Sequence, residues 1–367
     1  MEYRKLPHGE ELISTLGLGT GSLTEVSEKE IEQIIKKAIE NGINFFDLCA
    51  GNRKVFKPFG KAIKVQREKV YVQVHFGAVY NDKDEYSWSR DLKTIKDTFA
   101  YILNALNTDY VDFGFLHCVD EEDDFEKLKS NGVFDYLKEL KAKGIVKHIG
   151  LSSHTPSVAN KVIDTGLIDM MMFSINPAYD YEYGDELGIG SVKERKELYI
   201  RCASLGIGVS VMKPFFGGKL LDEKQSPFKV SLTKNQCLQY ALDRPSVLTC
   251  VPGVRNLNDL NELLSFINTM PLDNDYSIIG TFKINKIENN CVYCNHCQPC
   301  PMGIDIGIVN KYYDLAKVGD ELAKSHYHKL KLNATNCVQC GHCNSQCPFN
   351  VNQMQRMREI AEYFLKN

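Results

Sequence analysis

The chain has 367 residues, of which 43% are hydrophobic and 25% charged, with a formal net charge of -3. Acids and bases are interspersed, leaving no electrostatic footprint for nucleic acid or an anionic membrane surface. No apolar run reaches the ~20 residues of a membrane span, and the opening MEYRKLPHGEEL lacks the apolar core of a signal peptide, so a cytoplasmic setting is expected.

Residues 3–15 read as a short hairpin: YRKL, a His-Gly turn, then ELIST. Short β-rich runs then alternate with helical patterns. The runs are LISTLGLG (12–19), INFFD (43–47), KVYVQVHF (69–76), YVDFGFLH (110–117), VKHIGLS (146–152), DMMMFSI (169–175), IGVSVMK (207–213) and VLTCVPG (247–253). Amphipathic stretches separate them at 27–42, 90–106, 134–144 and 258–267. In the first, Ile31, Ile34, Ile35, Ala38 and Ile39 fall on one face, and Gly42 suits a C-cap. Eight strands each followed by a helix match a closed (β/α)8 barrel, a fold of ~250 residues; a doubly wound open sheet is the rival. A barrel places its chemistry at the C-terminal ends of the strands. Those ends carry Asp47, His75, His117, Ser152, Asn176, Lys213 and Gly253. The acidic run at 120–124 reads as a solvated loop, and Gly217 with Gly218 as a weak anion-loop signal. Residues 271–286 read as a linker. The expected division is a barrel over 1–275 and a second, mainly helical domain over 276–367.

Thirteen cysteines are present. Cys49, Cys118, Cys202, Cys237 and Cys250 are scattered and read as small buried hydrophobes. The other eight form two runs: Cys291-x2-Cys294-x2-Cys297-x2-Cys300-Pro301, and Cys337-x2-Cys340-x2-Cys343-x3-Cys347-Pro348. The second has the bacterial ferredoxin spacing, and the first is one residue short before its last cysteine. In two-cluster ferredoxins the fourth thiolate comes from the other run. One 4Fe–4S cluster is therefore expected on Cys291, Cys294, Cys297 and Cys347, the other on Cys337, Cys340, Cys343 and Cys300. A pair of zinc sites is the alternative. His296 and His342, inside the runs, read as loop residues.

Together, STLGLGTGSL, GINFFD, FGKAIK, REKVYVQ, TDYVDFGFLH, GIVKHIGLSSH, GIGVSVMKPFFGGKL, VPGVRN and CVYCNHCQPCP resemble the aldo-keto reductases, in the subfamily with a C-terminal double-cluster ferredoxin-like domain. The resemblance runs from residue 1 to about residue 350. It implies NADP(H) bound across the strand ends, hydride transfer to a carbonyl, and a tyrosine acid tuned by lysine and aspartate beside an orienting histidine. The aspartate matches Asp47 and the histidine His117. The tyrosine position aligns with Asn52 and the lysine position with His75. On the cofactor side, Ser152 begins a Ser-Ser-His where Ser-Asn is usual, Met172 stands for a glutamine four residues before Asn176, and Met212 for the stacking aromatic. The phosphate-facing elements are better kept: PFFGGKL (214–220), which holds Gly217 and Gly218 and follows Lys213, and PGVRN, which holds Gly253, Arg255 and Asn256, with Glu262 beyond it.

Three readings follow. The first is an iron–sulfur oxidoreductase that passes electrons, to or from a small substrate at the barrel mouth, through two 4Fe–4S clusters that exchange them with a ferredoxin or flavoprotein partner, with Asp47, Asn52, His75 and His117 around the substrate. The second is an NADP(H)-dependent carbonyl reductase in which His75 is the acid. The third is a non-catalytic electron carrier or scaffold subunit.

Overall fold

The apolar runs assemble as parallel strands. The computed structural model describes residues 1–181, 188–281, 291, 293–317 and 321–366; part of the expected linker, 282–286, lies outside them. In chain order the strands are β1 (Tyr3–Lys5), β2 (Leu12–Ser14), β3 (Leu18–Gly19), β4 (Phe45–Asp47), β5 (Tyr71–Phe76), β6 (Ala78–Tyr80), β7 (Tyr86–Trp88), β8 (Val111–Leu116), β9 (Val146–Ser152), β10 (Met170–Ser174), β11 (Gly208–Met212) and β12 (Val247–Cys250). The main sheet runs β12-β11-β10-β9-β8-β5-β4-β3. Parallel bridges from Leu16 to Cys250 and from Gly19 to Gly253 close it on itself. The sheet is therefore the (β/α)8 barrel and not the open rival.

Side chains alternate across each strand. One face sends Phe45, Phe113, Phe115, Met170, Met172, Leu248 and Val251 into the barrel interior. Gly150 makes room there, since a Cβ on it would lie 2.0 Å from the Phe115 ring. The β1–β2 hairpin closes the N-terminal end, with Leu6 and Ile13 joining the same cluster. The outer face packs under helices. In the helix Glu28–Glu40, Ile31, Ile34, Ile35 and Ala38 are buried, and Ser27 caps the Glu30 N–H. Each fully buried isoleucine contributes about 1.5–3 kcal/mol, so this stripe, more than intrinsic propensity, holds the helix.

Three segments depart from expectation. Residues 78–88 form the β6–β7 hairpin, tied to the preceding loop by an antiparallel bridge between Asn52 and Glu85. Much of the acidic run is helical: Glu122–Ser130 carries Glu122, Asp123 and Asp124 in its first turn, where carboxylates suit the positive end of the helix dipole. Residues 271–281 are not a loose linker. They make the short turns Pro271–Asn274 and Ser277–Thr281, anchored by buried Tyr276 and Ile279.

The C-terminal helices include Ile306–Lys317, His342–Gln346 and Gln353–Lys366. An apolar cluster seats this region on the barrel, joining Tyr179, Phe216, Phe228 and Tyr240 to Ile279, Cys291, Phe349 and Val351. Beside it Asp314 accepts from Lys196 (3.3 Å), Arg356 (2.6 Å) and Tyr293 (2.5 Å). Among the described residues no helix is long and apolar enough to cross a membrane.

Candidate active site

A cleft of about 820 Å³ opens at the C-terminal ends of the strands, within the ~300–1,000 Å³ range of small-molecule and cofactor sites. Asp47, His75, His117 and Ser152 line one end, with Cys49, Tyr86, Cys118 and His154. Lys213, Gly217, Gly218, Gly253 and Arg255 line the other, with Lys234.

The first end is a hydrogen-bonded chain. Asp47 Oδ1 lies 2.8 Å from His75 Nε2. An ionised carboxylate only accepts, so His75 carries its proton on Nε2 toward Asp47. His75 Nδ1 faces His117 Nδ1 at 3.1 Å, and His117 Nε2 lies 2.5 Å from Tyr86 Oη. Gln73, fully buried, donates to Asp47 Oδ1 at 3.0 Å and fixes the carboxylate from below. Burial, then the neighbouring His75 ring, holds His117 well below the usual imidazole range, so the ring is neutral at neutral pH. Burial, then the nearby Cys49 and Cys118 thiols, pushes the Tyr86 phenol up. Burial, then the Asp47 carboxylate, does the same to Cys49.

Residues 15–236 match the family model for the aldo/keto reductases. The chain belongs to the aldo/keto reductase family. It is similar to the uncharacterized oxidoreductase YqkF of Bacillus subtilis, at 25% identity over 299 residues, covering 74% of this chain and 93% of that one. It is also similar to the probable aldo-keto reductase 1 of Glycine max, at 27% identity over 219 residues, covering 56% and 58%. Among solved structures, the holo form of aldo-keto reductase AKR11C1 from Bacillus halodurans superposes with a TM-score of 0.60 at 21% identity, covering 74% of this chain and 92% of that chain. An aldo-keto reductase from Klebsiella pneumoniae in complex with NADPH superposes at 0.53 and 16% identity, covering 74% and 91%. These relationships make the chain an oxidoreductase of this family, built on its barrel.

Against the family pattern, Asp47, His75 and His117 come together, but Asn52 does not join them. Its Oδ1 accepts the Lys54 N–H at 2.9 Å and caps the turn Arg53–Val55. A phenol reaches the cleft instead from the β6–β7 hairpin: Tyr86, 41% exposed, stands free enough to meet a bound molecule.

At the other end Gly217 and Gly218 have φ of 64° and 91°, and nothing lies within 4 Å of a Cβ placed on either. Their bare backbone therefore opens to the cleft, and Lys213, Lys234 and Arg255 make its surroundings cationic. Asp259 holds the Arg255 guanidinium through two contacts, at 2.7 and 3.1 Å. Three expected cofactor residues are spent within the fold. Asn176 is fully buried, caps the helix Pro177–Asp180 and donates to the Lys213 carbonyl. Asn256 caps the helix Leu257–Leu264. Glu262 pairs with Lys234 at 2.7 Å and so acts on the cleft only through that lysine.

The eight C-terminal thiols gather across the two runs. Cys300, Cys337, Cys340 and Cys343 line one small apolar cavity with Ile304, Met354 and Met357. The Cys297 thiol, pushed up first by burial, also feels Cys291, Cys294 and Cys347. Both runs repeat one backbone device. Tyr293 and Asn295 in the first, and Gln339 and Gly341 in the second, have positive φ at matching places between cysteines. Such turns point successive N–H groups inward, toward bound negative charge. An amide also donates to one sulfur in each set: Gln353 to Cys291 at 3.6 Å and Gln339 to Cys337 at 3.4 Å.

Proposed function

We propose that this family member is an iron–sulfur oxidoreductase whose segment 276–367 moves single electrons to a small substrate at the mouth of the barrel 1–275. One observation carries the reading: Phe215 and Leu221 line the cleft and also pack on the apolar cluster that contains Cys291, with Cys294 and Cys347 at its edge. Phe215 and Leu221 are thus shared between the cleft and the apolar cluster that includes Cys291. The other set is outermost, with Cys340 exposed and Val338 59% exposed beside it, a surface suited to a ferredoxin or flavoprotein donor.

The residues fit 4Fe–4S groups better than zinc. A tetrahedral zinc ion with Zn–S of ≈ 2.3 Å sets its sulfurs about 3.8 Å apart. The four-thiol runs instead end in Cys-Pro, and the second carries the ferredoxin spacing outright, which suits a multi-iron core. When bound, such clusters supply one-electron transfer over a wide range of potentials. The chain supplies thiolates, the two amide donors that tune them, and an apolar surround that excludes water. At the cleft, Asp47 and Gln73 fix His75, and Tyr86 offers a proton to a substrate oxygen. In a stopped-flow experiment with reduced ferredoxin as the probe, the anaerobic chain should take up about two electrons, one per cluster. Cys340→Ala should take up about one, and slowly; undiminished rapid uptake by this variant would overturn the reading.

The open Gly217–Gly218 backbone beside Lys213, Lys234 and Arg255 favours a second reading, an NADP(H)-dependent reductase with its dinucleotide phosphates at that end. Saturable NADPH binding by calorimetry would bring it forward, and absence of binding with intact clusters would exclude it.

A further inference from the structure

We propose that Cys49, His75 and His117 form a site for one divalent metal ion of the zinc class at the barrel mouth, open to the cleft and distinct from the cysteine-rich segment. The inference rests on the geometry of the barrel and not on the iron–sulfur reading.

One ring nitrogen of each histidine and the Cys49 Sγ all lie within 4.8 Å of one another. The nitrogens left over by Asp47 and Tyr86 are the two Nδ1 atoms, which face each other at 3.1 Å. Zn–N bonds of 2.0–2.1 Å on a tetrahedral ion separate two imidazole nitrogens by about 3.3 Å. The pair needs to open by only a few tenths of an ångström to take the ion. Without the ion, one proton shared between the two Nδ1 atoms makes the 3.1 Å contact a hydrogen bond, and the ion would take that proton's place.

The surroundings are those of metal-ligating histidines. Each ring is held at its far nitrogen, His75 by the Asp47 carboxylate at 2.8 Å and His117 by the Tyr86 oxygen at 2.5 Å. A carboxylate or hydroxyl at that place fixes the tautomer and aims the ligating nitrogen. Gln73 locks Asp47 in turn. One thiol and two imidazoles are a borderline-soft set, matched to zinc or ferrous iron rather than to magnesium or calcium. Three protein ligands with a further position open is the pattern of a catalytic ion, and all three residues line the cleft. A substrate oxygen bound there would be polarised. With Nδ1 on the ion, His117 Nε2–H donates to Tyr86 Oη, leaving the phenolic hydrogen for that same oxygen. The neighbouring group Cys118, Asp120 and His154 is a weaker candidate, because Asp120 already accepts from the His154 ring and N–H and from Ser153.

The test uses the full chain, purified anaerobically with its clusters, equilibrated with buffered Zn2+ and desalted. About one zinc should remain, with zinc-edge X-ray absorption showing two nitrogens near about 2.0 Å and one sulfur near about 2.3 Å. Cys49→Ser and His117→Gln should abolish retention with circular dichroism unchanged, and Asp47→Asn should weaken binding by about 10–100-fold. Cys202→Ser, a buried cysteine remote from the cleft, should retain zinc as the parent does. No zinc in the parent, or equal zinc in Cys49→Ser and Asp47→Asn, would overturn the proposal. A sulfur-only zinc shell would also overturn it, and would separately sink the iron–sulfur reading by placing zinc in the C-terminal thiol sets.

Discussion

Asp314 is the electrostatic hinge pin between the barrel and the cysteine-rich segment, and its replacement should be costly. Its carboxylate is 10% exposed and receives Lys196 from the barrel helix Val192–Ser204, Arg356 from the last helix and the phenol of Tyr293, which lies between two thiols of the inner set. Arg356 also donates to Asn310. Asp314→Asn keeps the shape and removes the charge, leaving two cations in a poorly solvated place without their shared anion. Breaking a buried pair in this way costs about 3–5 kcal/mol, roughly 150- to 5,000-fold in the folding equilibrium. At a urea slope of about 3 kcal/mol/M the unfolding midpoint should fall by about 1–1.7 M, read by far-ultraviolet circular dichroism of the anaerobic chain. Replacing Arg356 by Met in the same background should recover part of the loss, because an apolar side chain no longer needs the anion. A cost under about 0.5 kcal/mol, the level of an exposed pair, would refute the reasoning and would mean that apolar packing alone seats the segment.

Three further outcomes are expected. Cys300→Ala should cost the chain about half of its iron, and adding Cys337→Ala should cost no more, whereas adding Cys291→Ala should remove the rest; additive loss in the first pair would disprove the crossed thiol sets. Lys234→Ala and Arg255→Ala should each weaken NADPH binding about tenfold or more, the scale of a hydrogen bond to a charged group, if the dinucleotide lies at the glycine end; unchanged affinity would remove it from there. Burial pushes the Asp120 carboxyl up, but hydrogen bonds from His154 and Ser153 bring it below the usual carboxylate range. Its folded value then lies below its unfolded one, so this stabilisation is present above about pH 4 and is lost as pH falls through the folded value. Asp120→Asn should flatten the acid limb of the denaturation midpoint, and an unaltered limb would contradict that assignment.

The barrel was legible because its strands are runs of Val, Ile, Phe and Met that must be buried on both faces; β9 occupies 146–152 as read. Asp47, His75 and His117 were legible as polar groups ending such runs. Gln73 was missed although it stands two residues before His75 on β5 and therefore shares its face. Tyr86 was missed because its hairpin strands are only three residues long, too short for a period to show, and the one signal was the turn around Asn81. Asn52 and Asn256 entered through alignment with the family pattern and Asn176 through its place at a strand end; each caps a helix or turn, a position that asparagine favours. In Asn176 the following proline, at the first helical position, was the clue to the cap.

Two electron-carrying thiol sets feeding the cleft are the centre of the proposed function. The direct measurement is iron, acid-labile sulfide and zinc in the anaerobically purified chain, followed by coulometric reduction. About eight irons, eight sulfides and two electrons per chain are expected, four irons and one electron for each set. About two zinc ions in sulfur-only coordination, with no sulfide and no electrons taken up, would contradict it.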